Sequence, residues 1–356
     1  MKIMSAKDAA DKWGISQRRV ATLCSENRIE NAQIIGNMWV MPSDTQKPKD
    51  ARSTRYNTEN LHTVRPFLKW AGGKGQLLKE IEKYYPFDNY KITKYAEPFV
   101  GGGAVLFDIL DKYRLDEVYI SDVNAELVNA YIAIRDHVYT LIELLEKYQR
   151  EYIPYNTEKR KEYYINKRIR FNELKISNYE SENIEKAALM IFLNRTCFNG
   201  LYRVNKKGLF NVPMGSYKNP LICDEKNLRT VSKKLHNVNI VCGDYKMAET
   251  FIDKYTFVYF DPPYRPINET SNFTAYTEDA FDDRSQIQLA EFVNCMSERG
   301  AKILISNSDP KNQNDNDDFF DALYNRYVIK RVQATRMINC NAEQRGKLNE
   351  LLIMNF

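Results

Sequence analysis

The chain has 356 residues, enough for a full α/β domain and a smaller one, and its formal net charge of +5 suits a nucleic-acid partner. Its three histidines and six scattered cysteines, with no C-x-x-C pair, argue against a metal site, a disulfide framework or a histidine-based triad. No signal peptide is evident, and no apolar run approaches the roughly 20 residues that span a membrane, so we expect a cytoplasmic protein without a membrane partner.

Two short helices are predicted near the amino terminus. Ser5 is placed to cap a helix over 6–13, and Gly14 then starts a turn. Ser16 is placed to cap a second helix that begins at Gln17. Two short helices joined by a tight glycine turn predict a helix-turn-helix.

This segment also carries groups suited to DNA. Arg18 and Arg19 lie in the first turn of the second helix, where a recognition helix meets bases or phosphates. A hairpin over 33–41 with a Gly-Asn turn predicts a wing. Residues 1–48 resemble the small winged helix-turn-helix modules of excisionases and related bacterial regulators, although a helical cap on the enzyme is the alternative. The polar stretch 49–64 is predicted to be a linker.

The next part, 65–135, has the pattern of a nucleotide-binding half-domain. Two glycine-containing motifs, Pro-Phe-Leu-Lys-Trp-Ala-Gly-Gly-Lys at 66–74 and Glu-Pro-Phe-Val-Gly-Gly-Gly at 97–103, each precede an amphipathic helix. A strand, a glycine-rich turn and a helix open a Rossmann-like fold, and an acid about 20 residues later commonly binds ribose hydroxyls. Asp122 is that acid. The pattern predicts a nucleoside-bearing cofactor, and both dinucleotides and S-adenosylmethionine fit it.

An insertion over 136–236 interrupts the sheet pattern. Its early part is predicted to be helical, over 141–152 and 184–193. The stretch 194–218 then mixes cations, amides and aromatic side chains on loops punctuated by glycine. Such a composition can contact phosphates and read base edges, or it can form a solvated surface hairpin.

The motif Asp-Pro-Pro-Tyr, residues 261–264, follows a buried strand predicted over 257–260. The prolines end the strand, so its carboxyl end faces a ligand site. An exocyclic base amine is a poor nucleophile, and Asp261 with the Pro262 carbonyl could accept its two hydrogens in the transition state. Tyr264 could stack on the base. The alternative is a tight turn without chemistry.

Further strands are predicted over 238–242, 302–306, 327–332 and 351–354. At least six strands, most separated by helices, predict a mostly parallel, doubly wound sheet. The predicted core therefore comprises 65–135 and 237–356.

From Arg65 onward the chain resembles the Dam-type DNA adenine-N6 methyltransferases (D12 class, alpha group). These enzymes share the motifs at 67–74, 97–103 and 261–264 in that order. Further matches are Asp122 in Ser-Asp-Val-Asn, Asp244 in Cys-Gly-Asp-Tyr, Asn-Phe-Thr-Ala-Tyr at 272–276 and Ile-Leu-Ile-Ser-Asn at 303–307. The resemblance implies a Rossmann-like methyltransferase that transfers a methyl group from S-adenosylmethionine to a flipped adenine in double-stranded DNA. It implies a stand-alone enzyme or one that acts beside a separate restriction endonuclease.

The resemblance also assigns residues to the cofactor and to the reaction. For the cofactor, it assigns Trp70 and Lys74 to the methionine end, Phe99 to the adenine pocket, Asp122 to the ribose, Asp244 to the adenine amine and Asp261 to the neighbourhood of the methyl group. For the reaction, it assigns Asp261, Pro262 and Tyr264.

A third set of residues is assigned to DNA. Lys69 would meet the first guanine, Phe198 the flipping or orphan-base position, Leu201 a thymine methyl, Arg203 a guanine and Pro213 a further apolar contact, with Asn199 in the same motif. Ser216 departs from the pattern, because well-known GATC members carry arginine there. The implied target is therefore GATC or a related site such as GATATC.

Two other functions fit parts of the sequence. One is a DNA-binding regulator whose methyltransferase fold no longer turns over, and the other is methylation of RNA or protein. The intact Asp261 and Tyr264 favour an enzyme. The aspartate that opens the motif and the large basic insertion favour DNA adenine.

Overall fold

The computed structural model describes residues 3–25, 29, 31–36, 38–47, 64–265, 281–335 and 347–356. The chain forms two compact units, Met1–His62 and Thr63–Phe356. The boundary between them falls within the polar stretch predicted to be a linker. In the described ranges, no helix is both long enough and apolar enough to cross a membrane.

The helices of the first unit begin and end where local signals place them. Helix α1 spans Ala6–Trp13 and helix α2 spans Gln17–Ser25. Ser5 and Asp8 form a capping box, in which the backbone N–H of each donates to the side chain of the other. Gly14 ends α1 in the left-handed region, with φ of 65°. Both predicted helices are therefore confirmed.

The first unit also contains a small antiparallel sheet in the order β1-β3-β2, formed by β1 (Ile3–Ser5), β2 (Gln33–Ile35) and β3 (Met38–Pro42). Gln33 pairs with Val40, which confirms the predicted hairpin, while Asn37 of its turn lies outside the described residues. The core between helices and sheet includes Ala9, Val20, Leu23, Cys24 and Met41. The DNA-binding role of the first unit stays a prediction.

The second unit is built on a seven-stranded sheet, counted over the residues that the structure describes. Its strands are β4 (Lys94–Glu97), β5 (Glu117–Asp122), β6 (Val238–Cys242), β7 (Thr256–Phe260), β8 (Lys302–Ser308), β9 (Val328–Thr335) and β10 (Lys347–Met354). Their order is β6-β5-β4-β7-β8-β10-β9. The first five strands in that order are parallel, and β10 runs antiparallel to both its neighbours. The prediction of a mostly parallel sheet is confirmed.

Helices cover the sheet and build the insertion. They are α3 (Leu78–Ile81), α4 (Ala104–Lys112), α5 (Ala125–Tyr152), α6 (Thr157–Glu173), α7 (Glu180–Thr196), α8 (Glu225–Leu235), α9 (Asp283–Glu298) and α10 (Phe319–Leu323). Helix α5 starts well before the predicted 141–152 and leaves helical dihedrals at His137. Helix α8 packs against α4 of the predicted core, where Lys234 donates to the Leu110 carbonyl (2.7 Å).

The order of the strands places a ligand site. From β4 the chain moves outward through β5 to β6, and it then returns to β7 on the other side of β4. The strand order therefore reverses between β4 and β7, and ligands of open α/β sheets bind at the carboxyl ends of the strands there. Glu97 ends β4, and Asp261 directly follows β7.

Candidate active site

Asp261 is held at the carboxyl end of β7 through one of its two oxygens. Oδ1 lies 2.7 Å from the Lys74 ammonium and accepts a hydrogen bond from Ser306 Oγ at 2.8 Å. The Ser306 hydroxyl also bonds the Tyr259 hydroxyl (2.9 Å), which is buried between the strands. Over the described ranges, no protein donor is found for Oδ2. Oδ1 therefore orients the carboxylate, and Oδ2 can accept from a ligand.

Lys74 is a buried cation whose three donors all have partners. Its side chain is 4% exposed, and Nζ bonds Asp261, the Tyr264 hydroxyl (2.7 Å) and the Gly72 carbonyl (3.0 Å). A buried ammonium is stable only when it is paired and hydrogen-bonded in this way. Lys74 thus connects the motif at 66–74 to the Asp-Pro-Pro-Tyr motif.

Glu350 completes this group from β10. Its Oε2 accepts a hydrogen bond from the Tyr264 hydroxyl (2.6 Å) and lies 4.0 Å from the Lys74 ammonium. We call Lys74, Asp261, Tyr264 and Glu350 the lysine cluster. The sequence analysis did not predict a role for Glu350. A local signal for one was its position as a single carboxylate directly before the apolar run 351–354.

The turn after β7 is held in place by side-chain hydrogen bonds and ion pairs at Pro263 and Arg265. The fully buried Gln286 donates to the Pro263 carbonyl (3.1 Å), and Arg265 bonds the carboxylates of Asp283 (2.6 and 2.9 Å) and Asp317 (2.7 Å). Pro262 itself is buried. The predicted match at 272–276 lies outside the described residues.

Glu97 is a second acid near Asp261 that sequence reasoning read only as part of a motif. It is buried and accepts a hydrogen bond from the Tyr95 hydroxyl (2.7 Å). Burial, with a smaller contribution from the charge of Asp261, raises the pKa of Glu97 well above its usual range. This shift favours the uncharged form of Glu97, while the hydrogen bond from Tyr95 opposes it.

Asp122 contacts the glycine turn, and its predicted role as a partner of ribose hydroxyls stays a prediction. Its carboxylate accepts from the backbone N–H of Gly101 (3.1 Å) and of Asn124 (2.9 Å). Burial raises the pKa of Asp122, although these two hydrogen bonds oppose the shift. Gly101 has φ of 47°, a region that favours glycine.

An aromatic pair lies farther along the same edge. Phe99 stacks on Tyr245, with ring centroids 5.5 Å apart and planes at 28°. Asp244 is exposed beside Tyr245, where it accepts from the backbone N–H of Lys246 (3.0 Å). At the carboxyl ends of β4, β5, β6 and β7 therefore lie Phe99, Asp122, Asp244 and Asp261. The sheet offers an aromatic surface and three carboxylates along one edge.

Trp70 connects this edge to the insertion. Its ring stacks on Tyr202, with centroids 5.2 Å apart and planes at 26°. It also lies against Gly101, where a Cβ atom would come within 2.9 Å of Trp70 Cδ1. The Tyr202 hydroxyl donates to the Glu126 carboxylate in the first turn of α5.

The predicted DNA-reading residues lie on an irregular hairpin over 197–214. Its two sides pair at Cys197 with Met214 and at Val204 with Phe210. Arg203 is exposed, and its Nε donates to Asn211 Oδ1 across the hairpin (2.9 Å). This bond orients the guanidinium while leaving its outer nitrogens available for other acceptors.

The remaining predicted residues of this set lie on the same hairpin, except Lys69, which lies beside it. Exposed side chains are Lys69, Phe198, Asn199 and Pro213, and Leu201 is half-buried. The Asn194 amide bonds the backbone N–H and carbonyl of Lys69 (2.9 and 2.8 Å) and the Gly200 carbonyl (2.9 Å). Lys69 is thereby fixed beside the turn that carries Phe198.

The remaining predicted DNA contacts, Arg18 and Arg19, are exposed on α2 of the first unit. Within the described ranges, no group of three or more His, Cys, Asp or Glu side chains is arranged to hold a metal ion.

Comparison with known proteins agrees with this geometry. A family model described as D12 class N6 adenine-specific DNA methyltransferase matches residues 70–338. The chain is 50% identical over 296 residues to a type II methyltransferase, M.MjaIII, from Methanocaldococcus jannaschii, covering 82% of this chain and 99% of that relative. It is 35% identical over 289 residues to the DNA adenine methylase of Haemophilus influenzae, covering 81% of this chain and 92% of the relative. It is 33% identical over 290 residues to the DNA adenine methylase of Escherichia coli K12, covering 82% and 95% respectively.

The contact between Trp70 and Gly101 generates a stability prediction. We expect Gly101→Ala to lower the free energy of unfolding by about 1–3 kcal/mol. The alanine would have to keep a left-handed backbone conformation, and its Cβ would collide with the Trp70 indole. Urea denaturation measures the change. Gly75→Ala is the matched control, because no atom lies within 4 Å of its Cβ position and its φ is not positive. Equal stability of the two variants would contradict the close packing of Trp70 on the turn.

Proposed function

The chain belongs to the D12 class of N6 adenine-specific DNA methyltransferases, and from this premise we propose that its methyl donor is S-adenosylmethionine and its target a flipped adenine within GATC or a related site. It methylates the N6 amine of adenine in DNA. We further propose that the enzyme acts either alone or beside a separate restriction endonuclease. The orientation of Asp261 by Lys74 and Ser306 is the observation that carries the chemical part of the proposal.

The chemistry at the amine is one of positioning. The adenine amine is a weak nucleophile because its lone pair is delocalised into the ring. Asp261 Oδ2 and the Pro262 carbonyl accept its two hydrogens and favour the pyramidal nitrogen of the transition state. Because Oδ1 is fixed by two donors, the carboxylate is oriented before the amine arrives.

Tyr264 holds the flipped base. Its hydroxyl accepts from Lys74 and donates to Glu350, so the ring is fixed at its polar end. A fixed ring offers a flat surface for stacking at little cost in side-chain entropy. Flipping exposes the amine to the reaction and leaves an orphan base on the other strand. In this proposal, Phe198 occupies the gap opposite that orphan base.

The donor site is the edge formed by the ends of β4 to β7. S-adenosylmethionine supplies an activated methyl group on a sulfonium. Asp122 accepts from the ribose hydroxyls, Phe99 packs on the adenine and Asp244 accepts from its amine. Trp70 and Lys74 contact the methionine end, and Asp261 lies beside the methyl group.

The hairpin over 197–214 reads the target sequence, with Lys69 beside it. In this proposal, Lys69 and Arg203 meet guanines, Leu201 and Pro213 make apolar contacts, and Asn199 lies at the turn next to Phe198. Ser216 stands where GATC readers carry arginine, so one contact differs from that pattern.

A second DNA contact is proposed on the first unit. Gln17, Arg18 and Arg19 are consecutive exposed residues at the start of α2, and the β2–β3 hairpin provides a wing. This contact would add affinity without taking part in the chemistry.

The catalytic proposal predicts the effect of Asp261→Asn. The amide keeps the size of the carboxylate but loses its charge, so turnover should fall about a thousandfold. The fold should survive, because Lys74 keeps Gly72, Tyr264 and Glu350 as partners. Transfer of tritiated methyl groups to DNA measures the loss. Asp116→Asn, at an exposed acid just before β5, is the control. Near-normal turnover in Asp261→Asn would refute the assigned role.

The recognition proposal predicts the effect of Arg203→Ala. A bidentate arginine–guanine contact discriminates by about 1–3 kcal/mol, so selectivity should relax at one base pair. Methylation rates on duplexes that carry each single-base replacement provide the measurement. Lys206→Ala, at the exposed tip of the same hairpin, is the control for a phosphate contact and should weaken all sequences alike. Uniform losses in Arg203→Ala would reassign that residue to the backbone.

The second DNA contact predicts the behaviour of a chain that begins at Thr63. It should fold and methylate the same sequence, because the second unit contains the whole site. Its DNA affinity should fall, and the slope of log affinity against log salt should become shallower by about two if Arg18 and Arg19 each meet a phosphate. The full chain with both arginines replaced by alanine should behave alike, whereas Lys7→Ala on α1 should not. A truncated chain that melts earlier but binds DNA with an unchanged slope would make the first unit a stabilising cap.

A further inference from the structure

Glu350 is a carboxylate whose charge has no part in the proposed reaction, which uses the residue only to fix Tyr264. It lies on β10, paired with Ser308 on β8 and with Val332 on β9. Its side chain is 11% exposed. An acid on an inner strand of a sheet is costly to bury, so its contacts within the lysine cluster call for an explanation.

The charges of the lysine cluster do not cancel. It contains one ammonium, on Lys74, and two carboxylates, on Asp261 and Glu350. Asp261 is 2.7 Å from the ammonium and Glu350 is 4.0 Å from it, so Lys74 and Asp261 form the close ion pair. Burial raises the pKa of the nearby Glu97, which favours its uncharged form. Glu350 therefore leaves the lysine cluster with an excess of one negative charge.

We propose that Glu350 makes the site select the cationic sulfonium of the methyl donor over the neutral thioether of the product. This inference rests on the proposed use of S-adenosylmethionine. Without Glu350, the lysine and Asp261 would form a neutral pair. With it, the site presents a net negative charge to a positively charged ligand, and charge interactions are stronger where water is largely excluded.

The same charge favours the reaction step. The lone pair of the amine forms the new N–C bond, the S–C bond breaks with its electron pair on sulfur, and the positive charge passes to N6. The N6 centre then loses a proton to solvent, which leaves methylated adenine and the neutral thioether. A net negative cluster stabilises the cation before and during transfer, and it has no equivalent attraction for the spent cofactor, so release is favoured.

The Tyr264 contact gives Glu350 a second, purely geometric role as a positioning residue. Tyr264 donates to Glu350 Oε2, and a glutamine oxygen could accept the same bond. The substitution Glu350→Gln therefore separates the two roles, because it removes the charge and retains an acceptor of similar size.

The test is the ratio of two dissociation constants, for S-adenosylhomocysteine and for S-adenosylmethionine, measured by calorimetry on the full chain. We expect the ratio to fall about three- to tenfold in Glu350→Gln, and to return close to the wild-type value in Glu350→Asp, which keeps the charge. Glu117→Gln at the amino end of β5 is the matched control and should leave the ratio unchanged. Should the glutamine variant not fold, Glu350→Ser removes the same charge with a smaller polar group.

The outcomes are distinct. A Glu350→Gln protein that binds both ligands with the wild-type ratio overturns the charge role and leaves the proposed methyl donor intact. A ratio that falls equally in Glu350→Asp assigns the effect to geometry, which also overturns the charge role. A wild-type chain that binds neither ligand refutes the proposed donor and this inference together.

Discussion

The buried ion pair between Lys74 and Asp261 is the constraint on which the active site depends. An uncompensated ammonium in such a position costs several kcal/mol, so Lys74 is stable only while its partners stay in place. Those partners come from the glycine-containing motif at 66–74, from the end of β7 and from β10. The catalytic carboxylate is thus oriented by segments that meet only when the complete sheet has formed.

Much of the site was predictable because its signals are local. Buried strands followed by Asp122 and Asp261 place these acids at the carboxyl ends of parallel strands, and the strand pattern alone predicts a common edge. The helices of the first unit were equally predictable from sequence, since the Ser5 hydroxyl caps the first helix and the Gly14 backbone N–H ends it.

The parts that sequence reasoning missed depend on pairing between distant segments. Glu350 reaches the site only because β10 inserts antiparallel between β8 and β9, and no local pattern indicates that position. Ser306 orients Asp261 because β8 lies beside β7 in a particular register. Glu97 reads as a motif residue, and its raised pKa follows from burial that only the packed structure defines.

Tyr202 attaches the hairpin that carries the proposed sequence readers to the cofactor edge. Tyr202 lies between Leu201 and Arg203, stacks on Trp70 and donates to Glu126. Trp70 rests on the glycine turn, whose Gly101 N–H bonds Asp122, and Glu126 follows shortly after Asp122 in the chain. These contacts form a closed ring between the predicted DNA contacts and the predicted ribose site. The geometry of the proposed DNA contacts therefore depends on the same residues as the geometry of the proposed ribose site.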